Sequence, residues 1–501
     1  MYGSLIVVGL ALLSADPETV RAALRLDVPV RQAQAESLEA LYGKMQRAME
    51  ENRPEEALTW AKAMSAHPDY ARRPEEAQRA LDFLIGLIQL ELERPALALD
   101  SLVRATDWER APADYWLARL DAHVAVGDQN AAARTMAELS RRHPAAVQAL
   151  PGVGVMQLAG SPQLDPDAGF ALREALFASG WRHEDDSWIW LKLVDDLISR
   201  DRAAEAAPLV ERVTDPGSRL QLFSLRRYDV VRPADATFDP AVALAAGLAL
   251  DRKRAEAEGA TLEQRHRHVE ALLGLGRLEE GLAAADAILA EPEPDAEADP
   301  EGASSRTWTM DSRARILLLL GRADEALEQQ RAAAARQEYG QPNVSQAINL
   351  GWLALRAGRP DQARAAAAAV PEDDVSPFGR MQLLQVRACA AHELGDSAAF
   401  TTDLESMRSG WRDAPTALYG LYACQGDEEA MARTLIDMLG DSDHAETGVA
   451  LLHDYTGQGD VTDFDRRLAA LHQRVAARPE VIAARDRVGR AFAVPTIGLH
   501  F

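Results

Sequence analysis

Residues Ile316–Leu327 read ILLLLGRADEAL. An apolar helical run stops at Gly321, a charged turn follows, and Glu325-Ala326-Leu327 opens a second helix. Glycine supplies the left-handed backbone that ends the first helix, and a small residue five places on lets the second lie close against it. Variants of this junction recur along the chain. Asn52 stands five places before Ala57, Glu93 before Ala98, Gly127 before Ala132, Asp201 before Ala206, Gly276 before Gly281 and Gly358 before Ala363. Gly395, Gly426 and Gly459 open similar turns with a looser follow-up. Proline starts the following helix in Arg53-Pro54 and Arg359-Pro360, where its missing N–H leaves no bond unmade. Successive turns lie 31 to 45 residues apart, except for two intervals of 74 and 75 that each hold one degenerate copy. A period in the thirties made of two helices means a helical array, because stacked neighbours complete a core that no single hairpin can bury.

Composition agrees. Alanine and leucine abound, aromatic residues are 6%, and runs of Val, Ile and Thr are almost absent, so the chain reads as all-α. A formal charge of −24 disfavours a nucleic-acid partner, since phosphate binding needs clustered Lys and Arg. The basic residues Arg226-Arg227, Arg252-Lys253-Arg254, Arg265 and Arg267 are interleaved with Asp229, Asp235, Asp239 and Asp251, and read as a solvated face.

The spacing resembles the tetratricopeptide repeat family, which favours Trp eleven places before the turn glycine, Leu-Gly eight and seven before, Ala five after and Pro seventeen after. Trp116, Ala132 and Pro144 hold three of these places around Gly127, and Leu350-Gly351 and Ala363 do so around Gly358. Ile85-Gly86 and Ala98 match around Glu93, and Trp190 and Ala206 around Asp201. The resemblance covers residues 36–475 and implies a right-handed superhelical α-solenoid of stacked helix-turn-helix repeats. It further implies that the first helices line a concave groove for peptides or partner helices. On the unit ending at Gly358 the groove-facing residues are then Ser345, Ile348, Asn349, Trp352, Leu355 and Arg356. The flanking units add Asp311 and Arg315, then Gln385 and His392. An Asn amide can hold a peptide backbone, and a Trp face can seat an apolar anchor. A family clamp for C-terminal carboxylates is not expected, because Asp311 stands where it needs a lysine and Val386 where it needs an arginine.

The first fifteen residues carry no charge, and Leu5–Ala15 (LIVVGLALLSA) is too short to span a membrane. It reads as a secretory signal cleaved after Ala15, although no Lys or Arg precedes it and Leu13 sits where a small residue is usual. The other reading is an apolar first helix. Of the two cysteines, Cys389 and Cys424 stand at different offsets from their turns and read first as two buried helix residues, with a disulfide as the alternative in an oxidising compartment.

Other constellations carry little chemistry. His183-Glu184-Asp185-Asp186 reads as the cap of a helix starting near Trp188 more than as a metal site, and His266 and His268 point to opposite faces of a helix. Gly152-Val-Gly154 and Gly274-Leu-Gly276 lack the third glycine and the preceding strand of a dinucleotide motif. Trp181, Trp188 and Trp190 read as packing, with a sugar or peptide platform as the rival reading. No metal, cofactor or catalytic site is expected.

The expected organisation is a signal at 1–15, a lead-in at 16–35, repeats at 36–215, an irregular connector at 216–262, repeats at 263–475, and a capping helix and tail at 476–501. Pro151 to Pro166 is expected to be loop, and Glu291–Glu301 (EPEPDAEADPE) a flexible acidic loop. The apolar tail is expected to fold over the last helices, with self-association as a further outcome. The function expected is a non-enzymatic scaffold or adaptor for a protein partner, exported to a bacterial periplasm or secreted. The alternatives are a cytoplasmic regulatory scaffold and an envelope protein that binds or acts on glycans.

Overall fold

The computed structural model describes residues 37–497 apart from 234–235, 339–340, 373–374, 458 and 460. The expected signal at 1–15, the lead-in at 16–35 and the tail residues Gly498–Phe501 lie outside the described residues. The chain is all-α, built of stacked helical hairpins, and falls into two compact units divided after Val213.

Unit 1 opens with three hairpins, α1 (Leu38–Glu50) with α2 (Pro54–Ser65), α3 (Glu75–Glu91) with α4 (Pro95–Thr106), and α5 (Ala113–Ala125) with α6 (Gln129–Arg142). Short helices α7 (Pro144–Gln148) and α8 (Gly152–Gly160) follow, then α9 (Pro166–Ala178), α10 (Ser187–Ser199) and the single turn α11 (Ala207–Val210). The loop expected from Pro151 to Pro166 is thus largely the helix α8. Its glycines serve close approach, because a Cβ on Gly152 would strike the His183 ring and one on Gly160 the Trp188 ring.

In unit 2, α12 (Pro216–Ser224), a 3₁₀ turn at Arg226–Val230 and α13 (Pro240–Ala255) precede the array. Five hairpins follow: α14 (Leu262–Gly274) with α15 (Leu278–Leu289), α16 (Pro300–Leu319) with α17 (Ala323–Ala334), α18 (Val344–Arg356) with α19 (Pro360–Ala368), α20 (Pro377–Glu393) with α21 (Ser397–Ser409), and α22 (Pro415–Gln425) with α23 (Glu428–Gly440). Two residue pairs, β1 (Gln337–Glu338) and β2 (Gln341–Pro342), form an antiparallel clip before α18. The chain ends in α24 (Ala445–Leu451), β3 (Asp454–Tyr455), α25 (Asp463–Ala476), α26 (Pro479–Val488) and β4 (Ala493–Val494), with β3 and β4 parallel.

One device closes the first helix of every hairpin. Asn52, Glu93, Gly127, Asp201, Gly276, Gly321, Gly358, Gly395 and Gly426 all have positive φ. At Gly321 its N–H donates to the Leu318 carbonyl at 2.9 Å, and the next N–H, of Arg322, reaches back to Leu317 at 2.8 Å. The same pair of bonds recurs at Glu93 (2.9 and 2.8 Å) and at Gly358 (3.0 and 2.8 Å), so the last carbonyls of each helix are satisfied as the chain reverses. Each long interval between turns contains one further left-handed glycine, Gly180 and Gly259. The small residues five places on, Ala57, Ala98, Ala132, Ala206, Ala326 and Ala363, are all at most 1% exposed. Inside the array, Gly351 allows α18 and α20 to touch, because a Cβ there would lie 2.5 Å from Val386 Cγ1.

Two expectations are corrected. Cys389 and Cys424 are not separate buried thiols but a disulfide (Cα–Cα 5.6 Å) joining the neighbouring helices α20 and α22. The different offsets do not prevent this, because the two helices pack side by side and bring the Cα atoms within bonding range. The acidic stretch 291–301 is irregular and exposed as far as Asp299, as expected, but part of it is tied down. Glu291 pairs with Arg265, Glu293 with Arg306 and Arg336, and Asp299 caps α16 through the Gly302 N–H at 2.9 Å. Glu291 and Glu293 find guanidinium partners, which composition alone does not reveal.

Two predictions follow from these joints. Glu93→Gly and Asp201→Gly relieve a side chain in left-handed backbone and should each raise stability by about 1 kcal/mol, measured by urea denaturation. Reduction of the disulfide should cost about 2–4 kcal/mol, read as a fall in Tm with dithiothreitol that a Cys389→Ser/Cys424→Ser variant does not show.

Candidate functional site

The first helices of the unit 2 hairpins, α14, α16, α18, α20 and α22, pack in sequence as one inner layer. The C-terminal segment folds back across the C-terminal ends of that layer. Asp465 of α25 takes two hydrogen bonds from Arg356 of α18, at 2.8 and 3.2 Å, in an ion pair whose side chains are 10% and 3% exposed. Arg467 pairs with Glu393 of α20, and His472 meets the Tyr419 hydroxyl of α22 at 2.7 Å. Arg474 reaches Glu428 at the start of α23 at 2.8 Å. Thus α25 is tied to the inner helices α18, α20 and α22 and to α23, while Phe464, Leu468, Leu471 and Val475 turn its apolar face inward.

The tail completes the closure of this unit. The Arg490 N–H bonds the Ser224 carbonyl at 2.8 Å, and its guanidinium holds Asp229 at 2.6 Å, which keeps that carboxyl below its usual range. Phe238 lies between Phe223 and Phe492, at ring distances of 5.0 and 5.7 Å. The Ile497 N–H donates to the Gly274 carbonyl at the end of α14, at 2.8 Å.

What the fold-back leaves open is the other half of the inner layer, and a polar network lies there. Asp311 is 2% exposed and accepts from Asn349 Nδ2 at 2.9 Å and from Arg315 at 3.4 Å. Arg315 also reaches Glu270 of α14 at 3.5 Å, Ser312 donates to the same carboxylate, and His266 meets the Thr309 hydroxyl at 3.3 Å. Burial pushes the Asp311 carboxyl up; against the opposing effect of its own burial, Glu270 and Asp311 hold the Arg315 guanidinium above its ordinary value. The network is charged, and its outer members, Arg315 and Glu270, keep 41% and 37% of their side-chain surface in solvent. Trp352 is half-buried beside it on α18, and Ser345 is exposed.

The expected groove residues therefore divide. Asp311, Arg315 and Asn349 come together in one network, and Trp352 and Ser345 belong to the same open face. Ile348 is 6% exposed and Gln385 0%, so both are enclosed between neighbouring helices and line no surface. Neither end of the Gln385 amide finds a hydrogen-bond partner among the described residues. Arg356 serves the fold-back, and exposed His392 lies 5.5 Å from the Phe400 ring of α21. Glu270 and His266 were missed, yet the offsets that find Arg315 and Asp311 before Gly321 find them before Gly276.

In unit 1 the tryptophan cluster is core. Trp181 and Trp190 are 2% and 0% exposed, and the Arg212 guanidinium lies 4.0 Å from the Trp190 ring centre while pairing with Asp186 at 2.9 Å. Asp186 stands at the N-cap position of α10, as expected of the cluster, but its side chain makes no capping bond and anchors Arg212 instead. Among the described residues no His, Cys, Asp and Glu gather in a metal-holding group.

No protein-family model and no curated protein matches the chain. Among solved structures it is similar to the Cut9–Hcn1 hetero-tetramer of the APC/C, with 13% identity over 90% of this chain and 96% of that one and a TM-score of 0.29. It is also similar to yeast Tom70, with 10% identity over 89% and 98% and a TM-score of 0.32. A tetratricopeptide repeat protein from Parabacteroides merdae gives 11% over 70% and 99%, with a TM-score of 0.23. Likeness at this level carries no argument. The tetratricopeptide-like character rests on the recurring turns, buried small residues and paired helices described above.

Arg356→Ala strands Asp465 in a buried site and should cost about 3–5 kcal/mol. Arg356→Met with Asp465→Leu should cost less, about 1 kcal/mol, because it removes the charge pair together and loses only the Asp465 bond to the Thr462 N–H at the start of α25, both read by denaturant unfolding. Acid should also loosen the fold-back. Burial pushes His453, aided by Arg485, and His472 down to about 4. Between an unfolded value of about 6.5 and 4 the unfolded chain binds more protons, so stability is greatest above 6.5 and falls with acidification. Asp311 and Asp121, the latter raised to about 7 by burial, act with the opposite sign. The histidine contribution is therefore read as the flattening of the unfolding midpoint between pH 7.5 and 4.5 in a His453→Gln/His472→Gln variant.

Proposed function

We propose that this chain is a non-enzymatic scaffold that binds a protein or peptide partner on the open half of the unit 2 inner layer, in the bacterial cell envelope. The observation that carries the reading is the row Glu270, Arg315 and Trp352, one residue from each of three adjacent inner helices, each six places before its turn glycine. All three keep part of their side chains in solvent, on a layer whose remaining edge the chain covers with its own C-terminal segment. A held guanidinium and a half-buried indole at equivalent places on adjacent inner helices offer both a charge-assisted bond and an apolar anchor, the residue types that dominate protein recognition.

An exported setting is supported by the Cys389–Cys424 disulfide, since such bonds persist in oxidising compartments, and by the apolar run before Ala15. The competing setting is the cytoplasm, with the apolar run retained. Mass spectrometry of the mature N-terminus decides between them: a start at Asp16 supports export, and a retained Leu5–Ala15 segment refutes it.

The binding reading is tested by quantitative affinity capture from envelope extracts. Ser345→Arg with Trp352→Ala alters two side chains that bear no part of the fold-back. The indole is half-buried, so some loss of stability is expected, and circular dichroism should show the helical fold kept at the assay temperature. Recovery of the partner captured by wild type should fall at least about tenfold, a loss of about 1.4 kcal/mol. Equal recovery would move the working surface elsewhere.

A further inference from the structure

Unit 1 carries a second inner face of different chemistry. On α1, Tyr42 and Met49 are partly buried; so are Leu84, Leu87 and Leu90 on α3, and Tyr115, Leu117 and Val124 on α5. Tyr42, Met49, Leu84, Leu87, Leu90 and Tyr115 pack on the core with one side and keep the other in solvent, and the Phe83–Tyr115 stack at 4.1 Å locks α3 to α5. In the middle of the α5 stripe stands Asp121, six places before Gly127, the place that Arg315 and Trp352 occupy in unit 2. Asp121 makes no hydrogen bond or ion pair among the described residues, and burial alone raises its carboxyl to about 7.

Further acids frame the stripe. Glu39, Glu76 and Asp114 lie in the first turns of α1, α3 and α5, and Glu50 and Glu91 end α1 and α3; all five are exposed. Glu76 and Asp114 both raise the Tyr115 hydroxyl, which places them around one ring. The cations of the same helices are mostly drawn elsewhere. Lys44 lies over the Trp60 ring at 4.4 Å, Arg79 bonds Glu75 and the Arg104 carbonyl, and Arg119 bonds the Thr106 hydroxyl at 2.9 Å, while Arg47 stays at the rim. An apolar strip with an unpaired carboxylate inside and carboxylates at both ends is complementary to an apolar segment that carries lysine or arginine.

We infer that the α1–α3–α5 face is a docking site for a cationic amphipathic segment of a partner protein, with Asp121 receiving a Lys or Arg side chain amid the leucines. This rests on the scaffold reading but assigns a separate surface and a separate ligand chemistry, so the two can fail independently. An ion pair at a half-desolvated carboxylate is worth more than one in open solvent, and leucines around it exclude water.

The test is fluorescence anisotropy of the full chain with a labelled synthetic helix bearing leucines at helical spacing and lysines along its flanks. Wild type should bind it, and a peptide with every Lys replaced by Glu should not bind. Asp121→Asn removes an unpaired charge, so the fold should hold, yet affinity for the Lys peptide should fall about tenfold. A peptide with norleucine for the central lysine should not distinguish Asp121→Asn from wild type. Leu87→Glu should abolish binding, with helicity checked by circular dichroism. No binding by wild type, equal binding of the Glu peptide, or unchanged affinity in both Asp121→Asn and Leu87→Glu would overturn the inference. A dimer by light scattering that dissociates in Leu87→Glu would also overturn it, by assigning the face to a second copy. Loss of this inference with the unit 2 capture result intact would leave the scaffold reading standing.

Discussion

The left-handed residue at the end of each inner helix is the constraint on which the rest depends. It reverses the chain within two residues, satisfies the last carbonyls through bonds such as Arg322 N–H to Leu317, and aims the next helix back along the first. A buried alanine or glycine five places on then fixes how closely the pair can pack. Side chains at fixed distances before the turn consequently return to the same level on every hairpin, so a surface is read across the array as rows of equivalent positions. The row six places before the turn runs Glu270, Arg315, Trp352 in unit 2 and Gln46, Leu87, Asp121 in unit 1. One scaffold thereby presents a polar-aromatic strip in one unit and an apolar strip with acidic ends in the other.

The second organising feature is the fold-back of the C-terminal segment in unit 2. Stacked hairpins leave their terminal units with an uncovered apolar face, which must be capped or made polar. Here α25 covers one edge of the inner layer with its leucines and reaches four helices through Arg356–Asp465, Arg467–Glu393, Tyr419–His472 and Arg474–Glu428. The tail goes on to the start of the unit, at Gly274 and Ser224. The disulfide between α20 and α22 fixes two of the helices that carry these contacts. Inner-layer surface is therefore partitioned between the chain itself and whatever else it binds, and the boundary runs through α18, where Arg356 is taken up by Asp465 and Trp352 stays on the open face.

Much of this was legible in the sequence, for local reasons. A turn residue, a proline at a helix start and a small residue at a fixed offset act over a few residues, so the nine turns from Asn52 to Gly426 could be placed from spacing alone, including non-glycine Asn52, Glu93 and Asp201. What failed was non-local. Arg356 bonds Asp465, 109 positions away, and nothing in the repeat pattern foretells that a groove position is taken by the chain's own helix. The disulfide and the guanidinium partners of Glu291 and Glu293 are lost to sequence for the same reason. The glycines at 152 and 160 read as loop formers, but they sit in a helix to admit the rings of His183 and Trp188, a use visible only once those rings are placed.

The central claim, that the open half of the inner layer is where unit 2 meets its partner, is tested most directly by photo-crosslinking. A benzophenone amino acid would replace exposed Ser345 on the inner helix α18 and, in a second variant, exposed Glu328 on the outer helix α17. Irradiation of intact cells should give one discrete heavier species from position 345 and none from position 328. Crosslinks of equal yield from both positions, or from position 328 alone, would contradict the assignment.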